Sequence, residues 1–150
     1  MTSASGLADH TGYWMRMVSN AVSQEFARKV SGEDVTVAEW SFMRALYDSQ
    51  PTSPSILAEK MGMTKGAISK LAERLTAKGL VAREESRDDR RAHSLSLTRE
   101  GRAKIPVLAS LADENDAEFF GVLTKEEHET LDRILRVLAE RRELKATPVD

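Results

Sequence analysis

The sequence contains no cysteine, which excludes disulfides, thiolate metal sites and a cysteine-based redox switch. No apolar run approaches the ~18 residues that a membrane-spanning helix needs, and the polar N-terminal stretch shows no secretory pattern. The expectation is a cytoplasmic protein with no membrane partner. The three histidines, His10, His93 and His128, are scattered, and no two have helical metal-ligand spacing, so no metal site is expected. Glycine-rich phosphate loops, Ser/His/Asp sets and paired-carboxylate constellations are also missing. That leaves no basis for an enzyme or a cofactor. Internal repeats and low-complexity tracts are absent as well.

What remains fits one domain, or a small domain with appended helices, in 150 residues. The net charge of −2 conceals a partition. Residues 1–52 carry 4 basic and 6 acidic groups, residues 53–104 carry 12 and 7, and residues 105–150 carry 6 and 11. A basic middle between acidic ends reads as one anion-facing module on a scaffold that avoids anions.

Trp14, Met17, Val18, Ala21, Val22 and Phe26 recur at helical spacing and predict an amphipathic helix over about 9–29, with a turn near Ser31 and Gly32. Thr36 and Glu39 form a capping box for a second helix, with Val35 and Trp40 placed as a hydrophobic staple. That helix is expected to end near Asp48, followed by a loop over 49–52. Ser53 then caps a third helix with Pro54 at its first position. Further on, Thr98 is a plausible cap, with Gly101 in the first turn of a long helix. Ile105, Leu108, Leu111, Ala112 and Phe119 mark its apolar side, and Gly121 ends it. Thr124 and Glu127 make another capping box for a last helix bearing Leu131, Ile134, Leu135 and Leu138, with a frayed tail after Glu143. These terminal helices expose more apolar surface than a small domain needs. The simplest cover is a second copy of the chain about a two-fold axis; an intramolecular bundle is the alternative.

Between them, residues 53–78 follow a helix-turn-helix pattern. Leu57, Met61, Met63, Ile68 and Leu71 supply a small core, Ala58 allows a close helix crossing, and Gly62 stands where a left-handed turn is expected. An ordinary helical hairpin would share the apolar spacing but not the Ala-x-x-x-Gly signature. Thr64 caps the second helix, whose outward face presents Lys65, Gly66, Ser69, Lys70 and Glu73. Lysine donates to guanine edges and serine pairs with several bases in a major groove. Gly66 removes a side chain where a backbone must approach DNA, at about 1 kcal/mol of helix propensity. Arg74 and Lys78 are assigned to phosphate contacts or intrahelical pairs.

After Gly79, a strand over 80–83 pairs antiparallel with one over 92–97, leaving 84–91 as a wing. The wing holds Arg87, Asp89, Arg90 and Arg91, and guanidinium groups on a projecting hairpin suit phosphates and a narrow minor groove. By itself such a run would read as a solvated turn; after a helix-turn-helix it reads as a wing. The fold class expected is mainly α with a small β-hairpin wing (α+β). A winged helix-turn-helix DNA-binding domain over 36–104 would lie between helical dimerisation segments at 1–35 and 105–150.

This order of elements closely resembles the MarR family of transcriptional regulators. The matching stretches are Val35-Thr36-Val37-Ala38-Glu39-Trp40, Leu57-Ala58-Glu59-Lys60-Met61-Gly62, Leu80-Val81-x-Arg83, and Asp89-Arg90-Arg91-Ala92 leading to Leu97-Thr98-x-x-Gly101. The resemblance implies a homodimer that binds double-stranded DNA at a pseudo-palindromic operator, as a repressor released by a small aromatic or phenolic ligand. It implies that Arg91 enters the minor groove, held by Asp89 through a charge-assisted hydrogen bond. Arg83 and Arg90 would contact phosphate or make structural pairs near the wing base, and Thr64, Lys65, Ser69 and Lys70 match the recognition-helix positions. Ser53, Ser55, Gly66, Arg74 and Arg87 complete the expected DNA-contact set. The candidate ligand pocket is Tyr13, Trp14, Arg16, Met17, Trp40 and Met43, although aromatic and methionine side chains at such positions also serve as core. Two rival functions stay open: a winged-helix module for protein assembly, and a constitutive regulator without a ligand.

Overall fold

The computed structural model describes residues 3–49, 51–85 and 93–145. A 3-10 turn, Leu7–Asp9, precedes α1 (Thr11–Ser31), followed by α2 (Val37–Tyr47), α3 (Pro54–Met61) and α4 (Lys65–Ala77). Strands β1 (Val81–Glu85) and β2 (His93–Leu97) come next, then α5 (Arg99–Phe120) and α6 (Lys125–Arg141). This is the mainly α architecture with a hairpin wing that the sequence predicts.

The helix starts follow from side-chain chemistry. Thr36 and Glu39 close a reciprocal capping box, with Thr36 N–H donating to Glu39 Oε1 (2.9 Å) and Glu39 N–H to Thr36 Oγ1 (3.1 Å). Thr124 and Glu127 repeat the device at α6, while Ser53, Thr64 and Thr98 each accept one backbone N–H. Each cap satisfies a donor that the helix itself leaves unpaired.

The helix ends are more varied than expected. Gly62 (φ 63) and Gly79 (φ 75) adopt the left-handed conformation that only glycine takes cheaply. Behind them, Met63 N–H bonds Ala58 O and Leu80 N–H bonds Leu75 O, closing both helices in the Schellman manner. At the end of α1 the reversal falls on Asp34 (φ 58) rather than on Gly32 (φ −64), with Val35 N–H reaching back to Val30 O. The end of α6 is likewise ordered: Glu143 is left-handed (φ 55) and Leu144 N–H bonds Ala139 O. A defined turn therefore extends through Leu144, one residue into the stretch where fraying is expected.

The start of α1 also differs from expectation. Gly6 N–H bonds Asp9 Oδ2, and Trp14 Nε1 donates to Ala8 O, so 7–9 form a separate turn and the helix begins at Thr11.

One core joins the elements: Val30, Val35, Phe42, Met43, Leu46, Leu57, Ala58, Met61, Ile68, Leu71, Leu75, Val81, Leu95, Ile105 and Leu108 are all buried. α5 runs unbroken through 104–105, with Ile105 and Leu108 inside that core and Pro106 accommodated within the helix. The strands pair with Val81 opposite Leu97 and Glu85 opposite His93. β1 thus continues two residues past the predicted 83, because Glu84 and Glu85 find partners in Ser94 and His93. Thr52, expected in a loop, forms a two-way bridge to Leu95, its N–H bonding Leu95 O (3.0 Å) and its carbonyl accepting from Leu95 N–H (2.8 Å).

The junction of wing and α5 depends on Gly101. A Cβ there would sit 2.0 Å from Leu80 O, the carbonyl that accepts from Thr98 N–H (3.1 Å). Among the described residues, no helix is long and apolar enough to cross a membrane.

Candidate nucleic-acid interface

The outer face of α4 is assembled by its inner one. Ile68, Leu71, Ala72 and Leu75 lock one side into the core, and the helical period then turns Thr64, Lys65, Gly66, Ser69, Lys70 and Glu73 to solvent. Thr64 Oγ1 accepts from Ala67 N–H (3.1 Å) and fixes the first turn. No acidic residue lies in that turn, so the positive end of the helix dipole adds to Lys65. The result is a cationic, donor-rich helix end on an exposed face.

Gly66 is informative by contrast with Gly101. Among the described residues, a Cβ at Gly66 would meet only Thr64 Oγ1, at 3.9 Å. Nothing within the described fold requires a glycine there.

Other expected contact residues lie on α3 and β1. Ser53 Oγ is engaged as the α3 cap, accepting from Ile56 N–H (3.3 Å), while Ser55 is exposed one turn edge away. Arg83 is exposed on β1. Arg87, Asp89, Arg90 and Arg91 lie outside the described residues. Glu85 and His93 are the last described pair of the hairpin.

Arg74 and Lys78, expected at phosphate or in intrahelical pairs, are both engaged with Glu39 of α2. Arg74 Nη2 lies 3.2 Å from Glu39 Oε1, and Lys78 Nζ lies 3.1 Å from each oxygen of the same carboxylate. Lys78 Nζ also donates to Asp34 O at 2.7 Å. Glu39 is fully buried, and its Oε2 takes no well-aligned hydrogen bond despite the nearby ammonium. Burial pushes this carboxyl up. Hydrogen bonds from the Thr36 N–H, the Lys78 ammonium and the Thr36 hydroxyl, with the charge of Lys78, outweigh it and leave Glu39 below the ordinary carboxylate value. Sequence reasoning found the capping role of Glu39 and missed the ion pairs, because their partners lie 35 and 39 positions further along the chain.

The six pocket candidates occupy unlike environments. Trp14 and Met17 are about half exposed, at 49% and 46%, and Arg16 is exposed. Tyr13 packs edge-on against Trp14, with centroids 5.3 Å apart. Trp40 is half-buried against the core, and Met43 lies entirely within it. A groove of about 360 Å³ between α1 and α5 is lined instead by Ala21, Gln24, Glu25, Lys29, Asn115, Glu118 and Phe119. There Lys29 Nζ donates to Asn115 Oδ1 and Glu118 Oε2, both at 3.0 Å. That hydrogen bond and the ammonium charge hold the Glu118 carboxyl below its usual range. Nothing in the apolar periodicity of α1 signalled this polar seam.

Known proteins resemble this chain in sequence and fold. The MarR family profile matches residues 33–92, from the start of the winged helix into the wing. Transcriptional regulator HosA of Escherichia coli is 31% identical over 103 residues, covering 69% of this chain and 76% of HosA. Among solved structures, a probable transcriptional regulator from Pseudomonas aeruginosa matches with a TM-score of 0.79 at 28% identity, covering 89% of this chain and 99% of that one. The fold is also that of BpsR from Bordetella bronchiseptica, whose DNA binding is regulated by 6-hydroxynicotinic acid (TM-score 0.79, 22% identity, 91% and 98% covered). The chain belongs to the MarR family of transcriptional regulators.

Proposed function

We propose that this regulator binds a pseudo-palindromic operator in double-stranded DNA as a homodimer, acts as a cytoplasmic repressor, and releases the operator when a small aromatic or phenolic ligand binds. The observation that carries the reading is the outer face of α4. Thr64, Lys65, Ser69 and Lys70 are exposed together around a glycine with open space beside it. A backbone approaching base edges needs that space, and lysine and serine there supply the donors that read them. Ser53, Ser55 and Arg83 would add phosphate contacts beside it. Arg87, Arg90 and Arg91, with Asp89 orienting Arg91, would extend the reading into the minor groove.

The homodimer is supported by α6. None of its described residues is buried, and Ile134, Leu135 and Leu138 are each more than 40% exposed. Trp14, Met15, Met17 and Val18 of α1 form a second uncovered apolar set. On this reading residues 36–104 form the DNA-binding domain, while residues 1–35 and 105–150 hold the two copies together. The ligand is supported by the relation between BpsR and 6-hydroxynicotinic acid, with Tyr13, Trp14, Arg16, Met17, Trp40 and Met43 as the residues it would meet.

The test is selection of bound sequences from random duplex DNA, followed by titration of the selected site at fixed salt. Enrichment of a two-fold repeated element is expected, with Lys65→Ala weakening it by about 1–3 kcal/mol and relaxing specificity at one position of each half-site. Absence of any enriched sequence would overturn the proposal. Both tryptophans of the chain belong to the pocket set. An aromatic acid that releases the DNA should therefore also change the intrinsic fluorescence.

A further inference from the structure

A fully buried carboxylate is an unusual element in a small core. Replacing a buried ion pair with apolar side chains of similar volume is often neutral or stabilising, so stability alone gives Glu39 no reason to be charged. Its geometry suggests another. Glu39 stands at the N-terminus of α2 and faces two cations from the C-terminal half of α4. Arg74 and Lys78 are spaced i, i+4, where like charges disfavour a helix unless compensated. The carboxylate compensates both.

The apolar seat of α4 holds the helix near the core, but apolar contact is non-directional and leaves rotation and tilt weakly determined. Charge-assisted hydrogen bonds have preferred directions. One of them, from the Lys78 ammonium to Glu39 Oε1, holds the C-terminal end of α4 to a fixed point on α2, with the Arg74 guanidinium in an ion pair with the same oxygen, and the same Lys78 ammonium reaches the carbonyl of Asp34 in the turn that ends α1. An ammonium has three protons to give, and Lys78 directs two of them to protein acceptors, Glu39 Oε1 on α2 and Asp34 O in the turn after α1.

We propose that Glu39 is a positioning residue for DNA reading. Through Arg74 and Lys78 it sets the orientation of α4, and through Lys78 it ties that orientation to the end of α1. Arg74 and Lys78 are then parts of a clamp rather than phosphate contacts. A displacement of α1 relative to α2 would reach the reading face by this route. The inference rests on the operator-binding function proposed above.

The experiment uses the full-length chain and three proteins: wild type, Glu39→Gln and Lys78→Met. Folding is checked first by circular dichroism. Affinity is then measured for the selected operator and for a mixed-sequence duplex over a range of salt. Wild type must prefer the operator; a wild type without preference sinks the regulator function itself, separately from the clamp. With that preference in place, both variants should lose about tenfold on the operator. Affinity for the mixed duplex should stay within about twofold, with the salt slope unchanged. Lys78→Arg, which keeps the charge and the reach, should restore most of the loss. General destabilisation would lower binding to both duplexes equally, which overturns the clamp. So would Glu39→Gln at wild-type operator affinity, or Lys78→Met losing both affinities with a slope smaller by about one, the mark of a phosphate contact. If Glu39→Gln does not fold, the Lys78 variants decide between these outcomes.

Discussion

The winged-helix region and α6 treat apolar residues in opposite ways. Around α2, α3 and α4, the large apolar side chains are mostly buried: Phe42, Met43, Leu57, Ile68 and Leu75 each have no exposed surface. Along α6 no described residue is buried, although its apolar stripe is as regular as any in the chain. Both patterns have the same helical period. One region completes its core within a single chain, whereas the other holds a surface that its own chain leaves uncovered. An equal hydrophobic pattern thus signals different things, depending on whether the fold brings a partner element to it.

The sharpest way to break this contrast is a pair of substitutions. Phe42→Ala should cost about 3–5 kcal/mol, the loss expected for a large buried aromatic that leaves a cavity, read by denaturant unfolding. Ile134→Asp should leave the winged-helix fold standing and instead shift the proposed homodimer to monomer in sedimentation. Unfolding by the second substitution, or tolerance of the first, would erase the distinction.

The next largest effect concerns Glu39, the one charged residue buried among the described residues. Glu39 has its carboxyl lowered in the folded chain, so its contribution to stability is present above the ordinary value of 4.5 and is lost as pH falls below it. Stability should be insensitive to this group between pH 7 and about pH 5. Below that it should decline by an amount that Glu39→Gln removes. The decline is limited because both cationic partners retain access to water and can be resolvated when the pair breaks. An acid limb of equal size in the Glu39→Gln protein would show that other carboxylates account for it.

The smallest expected change separates fold from function within one residue type. Gly66→Ala should raise stability by up to about 1 kcal/mol, because helix propensity improves and the Cβ has open space. The same methyl should weaken operator binding. At Gly101, where a Cβ would press on Leu80 O, the identical substitution should destabilise the fold. A neutral effect of Gly66→Ala on binding would remove the glycine from the reading face.

Much of this architecture was legible in the chain itself because its signals are local. The capping pairs Thr36–Glu39 and Thr124–Glu127, the caps at Ser53, Thr64 and Thr98, and the left-handed glycine at Gly62 each involve residues a few positions apart. A linear reading finds such contacts directly. It placed the turn after Ser31 but did not single out Asp34 or Glu143 as left-handed residues, because the hydrogen bonds that close those turns reach back to Val30 and Ala139. It also took residues 49–52 as plain loop, since nothing in Thr52 announces a bridge to Leu95.

The sequence by itself determined the order of elements, their capped ends, the apolar faces and the exposed side of α4. These depend on backbone period and on hydrogen bonds closed within one helical turn. Only the tertiary structure decided which carboxylate neutralises Arg74 and Lys78, which glycine the fold requires, and which apolar faces remain uncovered. Each of those depends on groups far apart in the chain, and their energies arise only when folding removes the water between them.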